Sequence, residues 1–352
     1  MLKWIMEWFR RFRPERHGEI RKVILLFSAL TALGAVGYRL FEGAADPELS
    51  WNDAIWWSIV TMTTVGYGDY FPTTAYGRYL VAIPLMFVGI GILGYLLSVM
   101  ATALIESRSK ELKGMTDLHV ESHVLVVNFQ SEVRNLEIVK ELREDSKTKD
   151  LAIVLVDDHL DELPPELGKL GVRFVKGNPS RESVLRRACV DKARYAIVLA
   201  SEVDSVRADD HTLAAVLTIE SINPNIFTVA ECLDPERVEL MRRSGCNSVV
   251  CVSGLASSFL VQEVCDPGMH AVVNELMSNR FGQQVYIVPV EQMQNWEFSE
   301  LQAHLSRKGC LVLGIQRGSE ALLNPGNAYK IKASDHVICM GPHRPPPVRI
   351  ST

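Results

Sequence analysis

The sequence predicts two units: an α-helical membrane domain with two transmembrane helices and a re-entrant helix between them, and an α/β domain of the Rossmann type ending in a small α+β lobe. Two apolar runs, residues 23–41 and 79–105, come close to or exceed the ~20 residues that cross a bilayer as a helix. A third apolar helix, residues 51–62, lies between them and is too short to span. After residue 122, six apolar strands alternate with helices, which is typical of a doubly wound parallel sheet.

Charge and cysteine usage narrow the class of protein. The net charge is −5, so the composition does not indicate nucleic-acid binding. Residues 1–22 carry seven Lys or Arg against three Glu and mix them with aromatic residues, which predicts a cytoplasmic segment that touches lipid headgroups. The alternative for this segment is a disordered basic tail. The seven cysteines all follow residue 188 and contain no C-x-x-C pair, which favours free thiols in a reducing compartment.

The short central helix has a clear start signal. Ser50 is a favourable N-cap, and Asp53 stands three residues later, as in a capping box. A helix of this length inside the membrane is expected to be re-entrant, with the negative end of its dipole directed at an ion path.

The segment after this helix has the composition of a potassium selectivity filter. A dehydrated K⁺ must be surrounded by carbonyl oxygens that replace its water shell. Successive carbonyls reach one axis only if some residues adopt backbone conformations that glycine tolerates. The predicted filter residues are Thr64, Val65, Gly66, Tyr67 and Gly68. One copy supplies a quarter of such a pore, so we expect a homotetramer; the alternative is a chance Gly-Tyr-Gly turn in a soluble protein.

The second apolar run contains three glycines that bear on gating. Gly89, Gly91 and Gly94 match the spacing of a dinucleotide-binding loop, but no strand precedes them and their flanks are apolar. We instead predict that the inner helix bends at residues 89–94, next to a kink at Pro84 and before an apolar constriction at Leu97. The alternative is that these glycines serve only close helix packing.

The predicted domain boundaries follow from the changes along the chain between apolar spans, polar segments and alternating strands and helices. They are residues 1–22 for the interfacial segment, 23–107 for the pore domain, 108–122 for a polar linker, 123–266 for the Rossmann lobe, 267–281 for a crossover helix, 282–343 for the C-terminal lobe and 344–352 for a disordered Pro-rich tail.

Taken together, the Trp56-Trp57-Ser58 segment, the filter, the two spans and the Rossmann lobe resemble the two-transmembrane-helix prokaryotic potassium channels with a cytoplasmic RCK domain (regulator of K⁺ conductance). The resemblance implies a non-enzymatic channel in the cell membrane with both termini in the cytoplasm. It also implies RCK dimers in a gating ring, in some members with free RCK subunits made from an internal start, for which Met115 is the candidate.

The support of the filter departs from the family pattern. Related channels often place a glutamate on the pore helix near the aspartate that follows the filter, but Val60 stands there in this sequence. We predict that Asp69 instead accepts a hydrogen bond from the indole of Trp56. Trp56, Trp57 and Asp69 are therefore the predicted supports of the filter.

The ligand site also departs from the family pattern, because the loop after the first strand has no glycine. A helix N-terminus still follows it, and two acids end the second strand, where a ribose-binding acid belongs. We predict an adenine nucleotide such as NAD or ADP, bound by Asn128, Phe129, Gln130, Ser131, Asp157, Asp158, Asn178 and Arg207. The alternative is that these are surface turn residues of a Rossmann fold without a nucleotide.

Calcium is the competing ligand. Some relatives bind it through an Asp and two Glu, of which Glu231 matches one, while Cys232 replaces the second and Leu199 stands near the expected Asp. The remaining candidate ligands for Ca²⁺ are Glu202, Asp204, Asp209, Asp210 and Glu231. A solvated acidic face is the alternative for this group.

The sequence thus predicts a potassium channel gated by a cytosolic nucleotide. The alternatives are a Ca²⁺-gated RCK channel without a nucleotide site and a potassium transporter subunit. A membrane-anchored oxidoreductase is rejected, because neither a separate substrate domain nor a catalytic His/acid arrangement is visible in the sequence.

Overall fold

The computed structural model describes residues 14–201, 207–291, 296–318, 320–332 and 334–348. They form two compact units, Met1–Ser109 and Lys110–Thr352. Most of the predicted interfacial segment, residues 1–13, lies outside the described residues.

The membrane unit contains the three predicted helices. They are α1 (Pro14–Glu42), α2 (Trp51–Met62) and α3 (Ile83–Leu112), and a π-helical turn (Gly77–Ala82) leads directly into α3. Two segments, Arg21–Glu42 and Gly77–Leu112, are long and apolar enough to cross a membrane. Helix α2 has the predicted bounds and start: the Ser50 hydroxyl accepts from Asp53 N–H, and the Asp53 carboxylate accepts from Ser50 N–H.

The helix irregularity lies before the glycines rather than at them. The π-helical turn ends two residues before Pro84, and Ile83 N–H bonds to Arg78 O, five residues back. A proline ring clashes with the carbonyl four residues earlier in an α-helix, and the wider turn removes this conflict. Helix α3 continues through residues 89–94 without interruption, so this conformation has no break there; bending at those glycines stays a prediction.

Small residues allow α1, α2 and α3 to approach closely. A Cβ added at Gly34 would lie 2.8 Å from Ser58 Oγ, and one at Gly89 would lie 2.9 Å from Met62 Cα. Gly89 therefore packs against the end of α2. A Cβ at Gly91 or Gly94 would meet open space among the described residues, so these two glycines have no packing role within the chain.

The second unit begins with the predicted parallel sheet, whose strand order is β3-β2-β1-β4-β5-β6. Its strands are β1 (Val124–Val127), β2 (Ile153–Asp157), β3 (Val172–Lys176), β4 (Tyr195–Val198), β5 (Phe227–Cys232) and β6 (Ser248–Cys251). The helices between them are α4 (Glu132–Glu144), α5 (Pro165–Lys169), α6 (Glu182–Arg187), α7 (Ala208–Ile222) and α8 (Val238–Arg243).

The core lies on both faces of this sheet, which explains the continuous apolar character of its strands. Leu125 and Val127 of β1 pack on one face with Ile219 of α7. Val124 and Val126 pack on the other face with Phe174.

Two helices follow the sheet, α9 (Val252–Cys265) and α10 (Met269–Met277), and correspond to the end of the Rossmann lobe and the predicted crossover helix. Every residue of α9 is exposed or only partly buried, although the helix is apolar. Leu260 and Val264 are 68% and 81% exposed.

The C-terminal lobe is a four-stranded antiparallel sheet of order β7-β10-β8-β9 with one helix packed on it. Its elements are β7 (Gln284–Pro289), α11 (Phe298–Ser306), β8 (Leu311–Arg317), β9 (Glu320–Leu323) and β10 (Asp335–Gly341). This sheet and its helix agree with the predicted α+β lobe. The sequence analysis missed β9, whose residues are all exposed and therefore lack the alternation that marks a half-buried strand.

The prediction of a disordered tail at residues 344–352 is wrong for residues 344–348. Val348 is 2% exposed and forms a parallel bridge with Val290. Arg344 bonds to Asp145 Oδ2 at 2.6 Å and lies over the Tyr286 ring. The three prolines before Val348 favour extended backbone, which suits a segment that pairs beside a strand.

We expect Asp335→Asn to destabilise the C-terminal lobe by about 2 kcal/mol, as for a charged hydrogen bond with a partly exposed partner. Asp335 is 1% exposed and accepts from Arg317 Nε at 2.8 Å and from Lys332 N–H at 2.9 Å. Burial alone would raise the pKa of Asp335, but these hydrogen bonds outweigh it and hold the pKa below its ordinary value. Pulse proteolysis in urea measures the loss.

The ion pair of Asp335 with Arg317 also predicts that the stability of the C-terminal lobe depends on pH. Because the folded-state pKa of Asp335 lies below the unfolded value of about 3.9, its stabilisation is complete above that pH and is lost as pH falls through the folded-state pKa. The asparagine variant should lose less stability than the native chain over this range. Asp150→Asn, at an exposed residue, is the control and should behave as the native chain does.

Candidate functional site

The predicted filter segment has an alternating backbone. Thr64, Gly66 and Gly68 have φ angles of 61°, 57° and 77°, in the left-handed region, while Val65 and Tyr67 do not share it. A Cβ at Gly66 or Gly68 would meet open space among the described residues, so glycine is needed there for the backbone conformation rather than for room. The start of the segment is fixed to the pore helix, since Val65 N–H donates to Val60 O at 3.0 Å.

The predicted hydrogen bond behind the filter is present. Trp56 Nε1 donates to Asp69 Oδ2 at 2.7 Å, and the Trp56 ring stacks on Tyr67 with centroids 5.9 Å apart. Trp57 acts one step further away: it is buried and stacks on Tyr38 of α1 at 4.1 Å. Trp56 thus contacts both the predicted filter segment and the residue that follows it, while Trp57 packs α2 against α1.

Glu42 is a further support that the sequence analysis missed. It is 3% exposed. Its Oε2 accepts from Thr73 N and Oγ1 at 2.9 and 2.7 Å, and its Oε1 accepts from Thr74 N and Oγ1 at 3.0 and 2.7 Å. A Cβ at Gly77 would lie 2.0 Å from Glu42 Oε1. The signal in the sequence is an acid at the end of an apolar run with a Thr-Thr pair before the next one.

The cytoplasmic unit has an open cavity of about 390 Å³ at the carboxyl edge of its parallel sheet. The lining residues come from the loops after β1, β2, β3 and β4 and from α7: Asn128, Asp158, His159, Asn178, Pro179, Ser180, Ser201 and His211. The cavity lies where the strand order reverses between β1 and β4, which is where open α/β sheets bind ligands. Three of the predicted nucleotide-binding residues, Asn128, Asp158 and Asn178, therefore lie together.

Asp157, in contrast, does not line the cavity and instead bonds to backbone groups of the protein. It is 3% exposed, and its carboxylate accepts from the backbone N–H groups of Phe129, His159 and Leu160 at 2.8, 2.8 and 2.6 Å. It thereby joins the loop after β1 to the loop after β2. Asp158, which pairs with His159 Nδ1 at 2.6 Å and is 32% exposed at its side chain, is the acid that faces the cavity.

Most polar groups of the loop after β1 bond within the protein, whereas Gln130 Oε1 is buried without a hydrogen-bond partner among the described residues. Asn128 has a φ of 69° and takes the place of a glycine, and its Nδ2 donates to Leu199 O at 2.6 Å. Gln130 Nε2 donates to Ala200 O, and Ser131 Oγ caps α4 by accepting from Arg134 N–H. Of the predicted set, Phe129, Gln130, Ser131 and Arg207 are not part of the cavity lining, and Arg207 stands at the start of α7.

The predicted calcium ligands do not form a site among the described residues. Glu231 Oε1 pairs with Arg134 at 2.7 Å, while its Oε2 accepts from Ala200 N and Gln130 Nε2 at 3.0 Å. Both oxygens of this buried carboxylate therefore have partners within the protein, and a role for Glu231 as a calcium ligand stays a prediction.

The carboxylates of Asp209 and Asp210 likewise bond to donors of the protein itself. Asp209 is buried and accepts from the backbone N–H groups of Leu233 and Asp234, both at 2.9 Å. Asp210 pairs with Arg237. Burial, followed by the nearby Asp209 carboxylate, raises the pKa of the Cys232 thiol to about 11. Glu202 and Asp204 lie outside the described residues.

Leu97, the predicted constriction, is 58% exposed in the single chain, as expected for a residue that faces lipid or a neighbouring subunit.

Comparisons with known proteins agree with this division of the chain. An ion-channel family model matches residues 25–106, and a TrkA-N domain model matches residues 122–252. The calcium-gated potassium channel TvoK of Thermoplasma volcanium is 24% identical over 296 residues, which cover 83% of this chain and 82% of TvoK. Potassium channel protein 1 of Methanocaldococcus jannaschii is 23% identical over 296 residues, which cover 82% of this chain and 85% of that protein.

Among solved structures, the GsuK channel bound to NAD matches with a TM-score of 0.45 and 21% identity. The match covers 91% of this chain, and this chain spans 57% of the length of the GsuK chain.

We expect Trp56→Phe to accelerate the decay of sustained K⁺ current. The phenylalanine keeps the ring that stacks on Tyr67 but removes the N–H that bonds to Asp69. Recording from the purified channel in planar bilayers measures the decay. Trp51→Phe, at an exposed tryptophan at the start of α2, is the control. An unchanged sustained current in Trp56→Phe would contradict the role given to this bond.

We expect Asp157→Asn to destabilise the cytoplasmic unit by about 2 kcal/mol, because an amide has one acceptor oxygen and leaves at least one of the three backbone N–H groups without its charged acceptor. Asp158→Asn, at the adjacent residue, is the matched control and should change stability little, since this side chain is partly exposed. Urea unfolding of the purified channel compares the two. Equal stability losses would show that Asp157 has no special structural position.

Proposed function

Since the chain belongs to the two-transmembrane-helix prokaryotic potassium channels with an RCK domain, we propose that a cytosolic ligand bound by this domain controls the opening of a K⁺-selective pore. The observation that carries the gating proposal is the open cavity at the carboxyl edge of the RCK sheet. The most suitable ligand is an adenine nucleotide such as NAD or ADP.

The pore residues would act through their backbone. Carbonyl oxygens of residues 64–68 from four chains would replace the hydration shell of the ion. Val65 and Tyr67 are 52% and 68% exposed in the single chain, which supports their burial against neighbouring copies in a homotetramer. The cell membrane would hold this pore, with the RCK domain and both termini in the cytoplasm, because residues 1–22 are basic.

The chemistry of the cavity supports a nucleotide. Asn128 and Asn178 offer amide groups, and Ser201 offers a hydroxyl. Asp158 stands after β2, where a carboxylate binds ribose hydroxyls in folds of this type. The volume of the cavity falls within the ~300–1,000 Å³ of small-molecule sites.

Calcium is the second candidate ligand, because TvoK is described as calcium-gated. The geometry favours it less: the carboxylates of Glu231 and Asp209 bond to donors of the protein itself. Calcium gating would therefore require ligands other than these two.

The exposed apolar helices support an assembled RCK domain. Helices α9 and α10 expose Leu255, Leu260, Val261 and Val264 with Val272 and Met277. Exposed apolar surface of this kind marks protein contacts. We propose that it joins RCK domains in dimers of a gating ring; whether free RCK subunits starting at Met115 take part stays a prediction.

The test records the purified channel in planar bilayers while NAD⁺, ADP, ATP and Ca²⁺ are added separately to the RCK side. We expect a nucleotide to shift the open probability of the native channel. Asp158→Ala and Asn178→Ala should weaken this response by raising the nucleotide concentration needed for half the effect. Asp161→Ala changes an exposed aspartate three residues away, outside the cavity lining, and should respond as the native channel does.

Two outcomes would contradict the proposal. If only Ca²⁺ shifts the open probability, the nucleotide assignment is wrong and the calcium-gated alternative holds. If the channel passes Na⁺ as readily as K⁺, the filter assignment is wrong.

A further inference from the structure

We infer that Arg187 is a positioning residue that transmits ligand binding in the RCK cavity to the chain that continues from the inner helix. This inference rests on the proposed ligand gating. It adds a residue outside the cavity and a specific physical connection between the cavity and the pore.

Arg187 is the point where three segments meet. Its NH2 donates to Gly114 O at 2.6 Å, its NH1 donates to Lys176 O at 3.1 Å, and its Nε pairs with Asp117 at 3.2 Å. Its own carbonyl accepts from Leu118 N–H at 3.0 Å. The side chain is 29% exposed. One arginine therefore bonds to the linker at three residues and to the last residue of β3.

The linker segment also touches β3 directly. Lys176 N–H donates to Gly114 O at 2.9 Å, so Gly114 O accepts from both Lys176 and Arg187. Gly114 has a φ of 63°, and a Cβ there would lie 2.4 Å from Lys176 N. The contact thus depends on glycine for its backbone conformation and for its closeness. Gly114 follows the end of α3 at Leu112 by two residues.

The loop between β3 and α6 lines the cavity. β3 ends at Lys176, and Asn178 of the cavity lining follows two residues later. Helix α6 begins at Glu182, just after the lining residue Ser180, and ends at Arg187. Its central residues Val184 and Leu185 are buried, so the short helix is fixed to the core.

A displacement of the Asn178–Ser180 loop therefore has two short routes to the linker. One runs through Lys176 to Gly114, and the other runs along α6, about 9 Å long at ~1.5 Å per residue, to Arg187. Both routes end on Gly114 O. Gly114 lies two residues beyond the end of the inner helix, so a single residue separates them. A displacement of Gly114 is therefore passed to the helix almost undiminished.

The test measures ligand binding and gating separately in the full-length channel, with NAD⁺ and ADP as probes. Arg187→Met removes the donors and keeps much of the side-chain volume. Arg186→Met is the matched control, because the neighbouring Arg186 bonds only to Glu182 in the described contacts. Calorimetry gives nucleotide affinity, and bilayer recording gives the ratio of open to closed states with and without saturating nucleotide.

We expect Arg187→Met to bind nucleotide within about threefold of the native affinity but to lose its effect on gating. Coupled sites typically change an equilibrium by about 5- to 150-fold, and the variant should change it less than about twofold. Gly114→Ala, which disturbs the backbone whose carbonyl accepts from Arg187, should likewise keep nucleotide binding and lose the effect of nucleotide on gating. Arg187→Lys, which restores one charged donor group, should recover part of the response, whereas a merely structural loss would lower nucleotide binding and gating together.

The possible failures are distinguishable. If nucleotides bind but leave gating unchanged in the native channel, the proposed function fails before Arg187 is tested. If the native channel responds and Arg187→Met responds equally, the inference about Arg187 is overturned. If Arg187→Met loses nucleotide binding by more than about tenfold, Arg187 supports the cavity itself, and the inference is equally overturned.

Discussion

Backbone N–H and C=O groups in loops have no partner within a helix or strand and need hydrogen-bond partners elsewhere. Near the predicted filter, the RCK cavity and the linker, charged side chains of this chain supply those partners. Glu42 accepts from the N–H groups of Thr73 and Thr74 beyond the filter. Asp157 accepts from three N–H groups around the RCK cavity, and Arg187 donates to the carbonyls of Gly114 in the linker and Lys176 at the end of β3. An unpaired buried group costs about 1–3 kcal/mol, so these contacts fix the loops beside the predicted filter, the RCK cavity and the linker.

Much of the fold could be predicted because the underlying signals are local. The capping box at Ser50 marked the start of the short central helix, and the apolar strands indicated the parallel sheet that the structure contains. The Trp56–Asp69 bond was predictable because the two residues are 13 positions apart in the chain, on either side of the predicted filter. Strand β9 was missed because all its residues are exposed and show no alternation, although its partner β8 directly precedes it. The bridge at Val348 was missed because its partner, Val290, is distant in sequence.

Predictions about individual acids succeeded less well, for a physical reason. Sequence position places an acid at a strand end but does not say which donors its oxygens meet. Asp157 and Asp158 are neighbours, yet one bonds to backbone N–H groups and the other faces the cavity. Glu231 meets Arg134, which comes from a helix 97 residues earlier in the chain. Only the folded structure therefore separates acids available to a ligand from acids already bonded within the protein.

The apolar surface of α9 also bears on biosynthesis. A newly made chain that has not yet met another copy presents Leu260 and Val264 to water and to every protein nearby. Such a surface promotes aggregation until it is covered. Under the proposed pairing of RCK domains, the yield of a free RCK domain depends on how its α9 surface is covered as well as on the packing of its parallel sheet.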